Sequence, residues 1–199
     1  MEAAQAGVDY IQLRERDLSA REFLQLALEV VACVRKAGPA TKLLINSRID
    51  VAIAAGADGV HLRSDDIKAS EARAIWAKAI KRTDCVIAQS CHTLIDVLNA
   101  EGHGADFVVF GPVFGKQGSA APATGVEAIA RVTGRGVTPD PKVEAGQSLK
   151  MPVLALGGIT RENAAACVEA GAAGLAAIRL FQRGEVAEVV ARLRPLAKG

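Results

Sequence analysis

The chain has 199 residues and a formal net charge of +2; half of its residues are hydrophobic, but only 4% are aromatic. Its charged residues are interspersed, which argues against a nucleic-acid partner, and no apolar run reaches the 18 residues of a membrane span. The four cysteines show neither metal-binding spacing nor a disulfide framework, and no signal peptide is recognisable. We therefore expect one cytoplasmic domain, residues 1–199, with an aliphatic core.

Apolar and polar residues predict helices and strands that alternate along the chain. A helical stub at residues 2–6 precedes a first strand that starts at Val8 or Asp9. Ser19 and Glu22 have the spacing of a capping box at the start of an amphipathic helix. The remaining predicted elements are strand 42–46, helix 49–55, strand 59–62, helix 68–80, strand 85–90, helix 94–101, strand 107–110, helix 126–132, strand 153–156, helix 163–170, strand 175–178 and helix 186–196. Residues 133–150, with three glycines and two prolines, predict an irregular loop, for which disorder is an alternative.

A similar phrase recurs four times in the chain, beginning at Ala6, Ala55, His103 and Ala170. Each copy ends a helical run at a glycine, continues into a short apolar strand and closes on polar residues. This order predicts a parallel α/β sheet whose strands point their carboxyl ends to one edge. Seven strands are predicted, so we expect a (βα)8 TIM barrel that lacks its first strand and most of its first helix. An open doubly wound sheet is the alternative, although the glycine-rich fingerprint common in that class is absent.

Polar side chains follow the first predicted strand, at the edge where barrel enzymes hold their ligands. Gln12, Arg14 and Arg16 alternate, so they face one side of an extended segment. Two guanidiniums and an amide on one side favour a phosphate or diphosphate site. The alternative is that Arg14 pairs with Glu15 or Asp17 at a solvated rim.

Later strand ends add further candidate groups. Asp65 and Asp66 follow the third strand, and carboxylates near an arginine pair suit a magnesium diphosphate site, although Asp65 could instead cap the next helix. His92 has two alternative roles, that of a proton-transfer group and that of a structural residue. The paired glycines Gly157 and Gly158 predict backbone N–H groups directed at a phosphate. The other polar residues at strand ends are Asn46, Ser47, Arg48, His61, Arg63, Ser90, Lys116 and Arg179.

Six motifs, in this order, resemble the thiamine phosphate synthase and thiazole tautomerase superfamily. They are QLRER at 12–16, Asn46-x-Arg48, GADGVHL at 56–62, Ser90-x-His92-Thr93, GADFVVFGPVF at 104–114 and LGGI at 156–159. The resemblance implies a (βα)8 barrel and a transferase of thiamine biosynthesis. Such an enzyme couples hydroxymethylpyrimidine diphosphate with thiazole phosphate to give thiamine phosphate and diphosphate, with magnesium as the cofactor.

The resemblance also implies roles for individual residues. Asp66 would bind magnesium, and Gly158 would present its backbone N–H to the thiazole phosphate. The candidate catalytic residues are Arg14, Arg16, Ser90 and His92, of which the resemblance assigns Arg14, Arg16 and Ser90 to the pyrimidine diphosphate. The candidate substrate-binding residues are Gln12, Arg14, Arg16, Asn46, Ser90, Lys116, Gly158 and Arg179. Lys116 and Arg179 are included for their positions after the fifth and seventh strands, where the family has other residues.

Several positions depart from the family pattern. An aspartate is usual where Ser47 stands, a serine where Arg179 stands, and two threonines and a lysine in the loop where this chain has Lys116, Gly118 and Ser119. These replacements predict a weakened magnesium site. They leave two alternatives to the transferase, a thiazole tautomerase-like isomerase and a non-catalytic protein that binds phosphate ligands.

The expected partners are small phosphorylated heterocyclic substrates, without nucleic acid or a membrane. A homodimer is also expected, because the outer edges of the first and last strands need covering.

Overall fold

Helices and strands alternate along the computed structural model, which describes residues 1–81, 83–115, 123–135, 149–182 and 185–196. In chain order the elements are α1 (Glu2–Gln5), β1 (Tyr10–Leu13), α2 (Ala20–Ala37), β2 (Lys42–Asn46), α3 (Ile49–Ala55), β3 (Gly59–Leu62), α4 (Ala69–Ile80), β4 (Val86–Cys91), α5 (Leu94–Gly102), β5 (Phe107–Phe110), α6 (Val126–Val132), β6 (Val153–Leu156), α7 (Ala164–Glu169), β7 (Gly174–Ala176), α8 (Arg179–Gln182) and α9 (Val186–Leu193).

The described residues contain seven strands, and their order in the sheet is their order along the chain. The pairs β1–β2, β2–β3, β3–β4, β5–β6 and β6–β7 are all parallel. This confirms the prediction of a parallel α/β fold in which helices connect successive strands. Within the described ranges, no helix has the length and apolar character needed to cross a membrane.

The repeated phrase forms the turn between a helix and the next strand. Its four glycines all have positive φ, between 66° and 101°, as predicted for residues that end helices in the left-handed conformation. In the second copy, the Asp58 carboxylate accepts a hydrogen bond from the Leu43 N–H at 2.8 Å. The phrase therefore ends a helix and also fixes the start of one strand against its neighbour.

Contacts divide the chain into two compact units, residues 1–89 and 90–199. In the first unit, Ser19 and Glu22 form the predicted capping box of α2, whose buried face carries Phe23, Ala27 and Val31. Strand β3 is buried along its whole length. Gly59 begins it because a Cβ there would lie 1.9 Å from the Val86 carbonyl oxygen. Only a glycine lets the two backbones approach this closely.

The second unit has its own core, in which β5 and β6 pack against α5, α6, α7 and α9. Phe110, Ile129 and Cys167 lie at its centre with exposures of 1% or less. Burial raises the pKa of the Cys167 thiol to about 11, so this group is a neutral packing residue at neutral pH.

Some predicted boundaries move by one to three residues. The last strand was expected at 175–178 but spans Gly174–Ala176, so that Arg179 begins α8 instead of following the strand directly. The last helix ends at Leu193 and not at residue 196. Most of the predicted irregular loop, residues 136–148, lies outside the described residues. The single-domain assignment stays a prediction.

Candidate active site

The carboxyl ends of β1, β2 and β3 are joined in the first unit by a row of side-chain hydrogen bonds. Gln12 Nε2 donates to Asn46 Oδ1 at 2.7 Å, and Asn46 Nδ2 donates to Ser47 Oγ at 3.0 Å. Ser47 Oγ in turn donates to Asp66 Oδ2 at 2.6 Å. The strand register makes this possible, because Gln12 pairs with Leu44 and Asn46 lies directly opposite His61. The structure therefore brings three sequence-predicted residues together and adds Ser47 to them.

Asp66 is held from a second side by backbone. Its Oδ2 atom also accepts a hydrogen bond from the Arg63 N–H at 2.7 Å, and the Asp66 N–H donates to Arg63 O at 3.3 Å. The carboxylate is half-buried. Two donors thus fix one of its oxygens, and neither donor is a charged side chain.

Asp65, the adjacent carboxylate, has a different environment. It forms an exposed ion pair with the Arg63 guanidinium, and the hydrogen bond from Arg63 lowers the pKa of Asp65. The alternative that it caps the next helix is wrong, because the N-cap residue of α4 is Lys68. The charge of Asp65 is therefore neutralised by an arginine, whereas the Asp66 carboxylate takes part in the hydrogen-bond network at the strand ends.

Arg14 and Arg16 follow β1 and are both exposed, and Arg14 is close enough to His61 for its charge to act on that ring. The predicted alternative partner Glu15 turns back on its own loop, where its Oε1 accepts the N–H groups of Arg16 at 2.6 Å and Asp17 at 3.1 Å. Among the residues that the structure describes, neither guanidinium belongs to a salt bridge. Two arginines that follow β1 without a described salt bridge, together with a carboxylate anchored after β3, are the residue types suited to a polyanion with a divalent cation.

Arg48, by contrast, is already neutralised. Its guanidinium donates two hydrogen bonds to the Asp50 carboxylate, from Nε at 2.9 Å and from NH2 at 2.6 Å. This pair raises the pKa of Arg48 and lowers that of Asp50. Arg48 therefore serves the start of α3 and not the anion site.

His61 is a buried titratable group in the first unit, with only 4% of its surface exposed. Burial, with a smaller contribution from the Arg14 charge, lowers the pKa of His61 to about 4, although Asp66 acts in the opposite direction. The ring is consequently neutral at pH 7. It cannot act there as a cationic acid or as an additional phosphate-binding charge.

This shift predicts a pH dependence of folding. The pKa of His61 rises from about 4 in the folded state to about 6.5 in the unfolded state, so the unfolded chain binds more protons between these values. Stability is therefore lost as the pH falls through this window, by about 2 kcal/mol between pH 7.5 and pH 5. Urea unfolding can be followed by fluorescence of Trp76, the one tryptophan, which is 3% exposed.

His61→Asn should remove this share of the pH dependence, whereas His103→Asn, at the end of α5, should keep it. An unchanged difference in unfolding free energy between the two pH values in His61→Asn would show that another group causes the effect.

The second unit holds the remaining candidates. Ser90 lies half-buried near the end of β4, and His92 follows it. His92 Nδ1 forms a short hydrogen bond with Gly111 O. Because a carbonyl oxygen only accepts, Nδ1 carries the proton of this hydrogen bond. Thr93 caps α5 through its hydroxyl, so His92 is fixed at the start of this helix.

Gly157 and Gly158 follow β6, where their φ values are +105° and +64°. A Cβ at Gly158 would lie 2.7 Å from Phe114 Cβ, and Asn163 Nδ2 donates to Gly158 O at 2.9 Å. The conformation and the close contact both require glycine at position 158. Arg179 is exposed at the first residue of α8, and Lys116 lies outside the described residues.

A shallow depression of about 600 Å³ lies elsewhere in the second unit, at the amino ends of β5 and β6. Glu101, Asp106 and Lys150 are among its lining residues, and Glu101 Oε1 accepts the Lys150 N–H at 2.7 Å. Barrel and parallel-sheet proteins bind ligands at the opposite strand ends. We therefore place the candidate site at the carboxyl ends.

One functional feature was missed from the sequence. Ser47 was interpreted only as the loss of a carboxylate, whereas the structure makes it the link between Asn46 and Asp66. The link depends on the backbone conformation of Ser47, whose φ is +59°. No residue pattern in the sequence predicts a positive φ for a serine. Within the described residues, no three His, Cys, Asp or Glu side chains are grouped so that they could hold a metal ion.

Comparisons with known proteins cover nearly the whole chain. Residues 1–181 match the sequence model of a family described as thiamine monophosphate synthase. A thiamine-phosphate synthase of Chlorobium luteolum is 35% identical over 192 residues, which cover 96% of this chain and 81% of that protein. The thiamine-phosphate synthase of Methanoculleus marisnigri is 34% identical over 195 residues, covering 96% and 83%. Among solved structures, thiamine phosphate pyrophosphorylase from Pyrococcus furiosus matches with a TM-score of 0.78 and 26% identity, over 99% of this chain and 86% of that one.

Proposed function

Because the chain belongs to the thiamine monophosphate synthase family, we propose that it couples hydroxymethylpyrimidine diphosphate with thiazole phosphate, giving thiamine phosphate and diphosphate. It is a transferase of thiamine biosynthesis, and its partners are small phosphorylated substrates. The observation that carries the proposal is the first unit's strand-end network. There two hydrogen bonds anchor the Asp66 carboxylate after β3, and Arg14 and Arg16, which follow β1, lack salt-bridge partners among the described residues.

The proposed chemistry explains why cations matter more than an acid or a base. The bond between the pyrimidine methylene carbon and a diphosphate oxygen breaks, and its electron pair leaves with diphosphate. The lone pair of the thiazole nitrogen then forms the new C–N bond. Arg14 and Arg16 stabilise the charge that develops on the leaving diphosphate, which is the largest electrostatic demand of the reaction.

Magnesium is the proposed cofactor, and the residues present fit it as a one-carboxylate site. Both hydrogen bonds to Asp66 are accepted by Oδ2, so Oδ1 is the oxygen available to a cation. Magnesium commonly takes only one or two protein carboxylates and completes its coordination with substrate phosphates and water. When bound, the ion supplies additional positive charge to the diphosphate. Asp66 holds and orients it, and Gln12 and Asn46 bind the substrate beside it.

Proton transfer has no necessary place in this scheme, because the nucleophile is a neutral ring nitrogen. A neutral His61 is compatible with that, and the Nδ1 hydrogen bond to Gly111 supports an orienting role for His92. Ser90 is proposed to contact the pyrimidine substrate. At the position where the resemblance places the acid–base histidine of the isomerase branch, this chain has Pro112, which cannot transfer a proton.

For the second substrate, we assign the thiazole phosphate to the second unit. Support comes from the left-handed Gly157 and Gly158, whose backbone N–H groups can donate to a phosphate, and from the exposed Arg179. Lys116 is proposed to contact the diphosphate.

We further propose that the seven strands are consecutive strands of a (βα)8 barrel and that the enzyme works in the cytoplasm as a homodimer. The parallel strand order and the match to the Pyrococcus furiosus structure support the barrel. Tyr10, an aromatic side chain on β1 that is 39% exposed, supports a covering partner at this edge.

The test is a paired assay on the purified protein. With both substrates and magnesium chloride, we expect thiamine phosphate to form, and we expect no product when either substrate is omitted or when EDTA replaces the metal. In parallel, the thiazole carboxylate phosphate is followed by NMR for isomerisation, which we expect to stay at the uncatalysed rate. Isomerisation without coupling would instead identify the tautomerase alternative, and ligand-induced thermal stabilisation without either reaction would identify a phosphate-binding protein.

A further inference from the structure

Ser47 has a backbone conformation that serine rarely adopts. Its φ is +59°, and the Arg48 N–H donates to Asn46 O at 2.6 Å, which closes a tight three-residue turn around it. Three-residue turns with positive φ are rare and strained. Within the described residues, the other non-glycine residue with positive φ is Lys81, at +60°, and that residue lies at the end of α4, where the left-handed conformation is common.

The surrounding backbone maintains this conformation. The Ser47 N–H donates to His61 O at 2.9 Å, and the Ile49 N–H donates to Ser47 O at 3.1 Å. Strand β3 on one side and the start of α3 on the other therefore hold the turn in place. A strained residue that its neighbours hold so firmly invites a functional explanation.

The turn directs the Ser47 hydroxyl at Asp66. A hydroxyl has one hydrogen to donate, and here it goes to Asp66 Oδ2 at 2.6 Å, so Oγ is the acceptor for Asn46 Nδ2. Every donor in the row from Gln12 onward consequently points toward the carboxylate. With the Arg63 N–H on the same oxygen, Oδ2 is fixed and the orientation of Oδ1 is determined.

We propose that Ser47 is a positioning residue, which orients the Asp66 carboxylate so that Oδ1 binds the magnesium of the magnesium diphosphate substrate. This inference rests on the proposed function and concerns how this chain compensates for having one carboxylate in the site. A residue that orients a metal ligand is expected to change metal affinity by about 10- to 100-fold when it is removed. The strained turn is then retained because it places the Ser47 hydroxyl within hydrogen-bond distance of Asp66.

The deciding variant is Ser47→Gly, because glycine adopts φ near +60° freely and lacks only the hydroxyl. Magnesium chloride is titrated by calorimetry into the full-length protein with saturating inorganic diphosphate. We expect the magnesium Kd of the variant to rise by about 10- to 100-fold. We expect its urea midpoint to stay equal to or above that of the wild type, since the strain is relieved.

The matched control is Lys81→Gly, which also introduces glycine at a residue with φ near +60°, but outside the site, and should leave the magnesium Kd unchanged. A wild-type Kd in Ser47→Gly would overturn the positioning role while the proposed function stands. If the wild-type protein neither binds magnesium diphosphate nor forms thiamine phosphate, the proposed function fails, and this inference fails with it.

Discussion

Asp66→Asn is expected to lower kcat/KM for thiamine phosphate formation by about 100- to 1000-fold. The amide has the same size as the carboxylate, and its oxygen can still accept hydrogen bonds from Ser47 and Arg63. The variant therefore loses mainly the negative charge that holds magnesium against the leaving diphosphate. Steady-state kinetics at saturating magnesium measure the loss, and a magnesium titration shows whether a higher concentration restores part of the rate.

The control for this experiment is Asp65→Asn. This neighbouring carboxylate carries the same charge but is exposed and paired with Arg63, so its removal should change kcat/KM by less than about 3-fold, in keeping with the small energy of surface ion pairs. Equal losses in the two variants would mean that the rate depends on the total negative charge near the site and not on the orientation of the Asp66 carboxylate. An Asp66→Asn enzyme with near wild-type kcat/KM would remove Asp66 from the magnesium site.

Gly59→Ala is expected to destabilise the fold by about 3 kcal/mol or more, by the general cost of overpacking. The added Cβ would lie 1.9 Å from the Val86 carbonyl oxygen and 2.8 Å from the Val86 nitrogen. Both atoms are backbone, so relief requires β3 and β4 to separate where they pair. Unfolding in urea, followed by the buried Trp76, measures the change in free energy.

Gly102→Ala provides the matched control, because a Cβ at Gly102 meets no atom within 4 Å. Its free energy of unfolding should stay within about 0.5 kcal/mol of the wild-type value, as for most surface substitutions. Equal stability of Gly59→Ala and Gly102→Ala would contradict the close packing of β3 on β4. Because β3 ends at Leu62 and leads into Asp66, a destabilised Gly59→Ala protein should also lose activity.

Elements with strong local signals were predictable from the sequence. The capping box of Ser19 and Glu22 and the Thr93 cap use neighbouring residues only, so their positions in the chain suffice. The boundaries of the buried strands β2, β3, β5 and β6 also matched, since glycines or polar residues flank short apolar runs there. The last strand was displaced because the run of alanine, leucine and isoleucine around it suits a strand and a helix equally, and β7 ends at Ala176, two residues before the predicted end.

The candidate site was predictable in its residues but not in its contacts. The alternation of Gln12, Arg14 and Arg16 indicated an anion site, and parallel strands imply that Asn46 and Asp66 share one edge with it. The sequence could not show that Asp65 pairs with the Arg63 side chain while Asp66 joins the strand-end network. That difference depends on whether the side chain or the backbone N–H of Arg63 donates to each carboxylate. The hydroxyl bridge from Ser47 needed the strained turn, which is a tertiary feature.

The central claim is tested most directly by quantifying both products of one reaction mixture. The wild-type protein is incubated with hydroxymethylpyrimidine diphosphate, thiazole phosphate and magnesium chloride, and thiamine phosphate and diphosphate are measured over time by liquid chromatography and mass spectrometry. The account predicts that the two products appear together in a 1:1 ratio, as the proposed reaction requires, and that their formation stops with EDTA. Diphosphate without thiamine phosphate, or neither product, would contradict it.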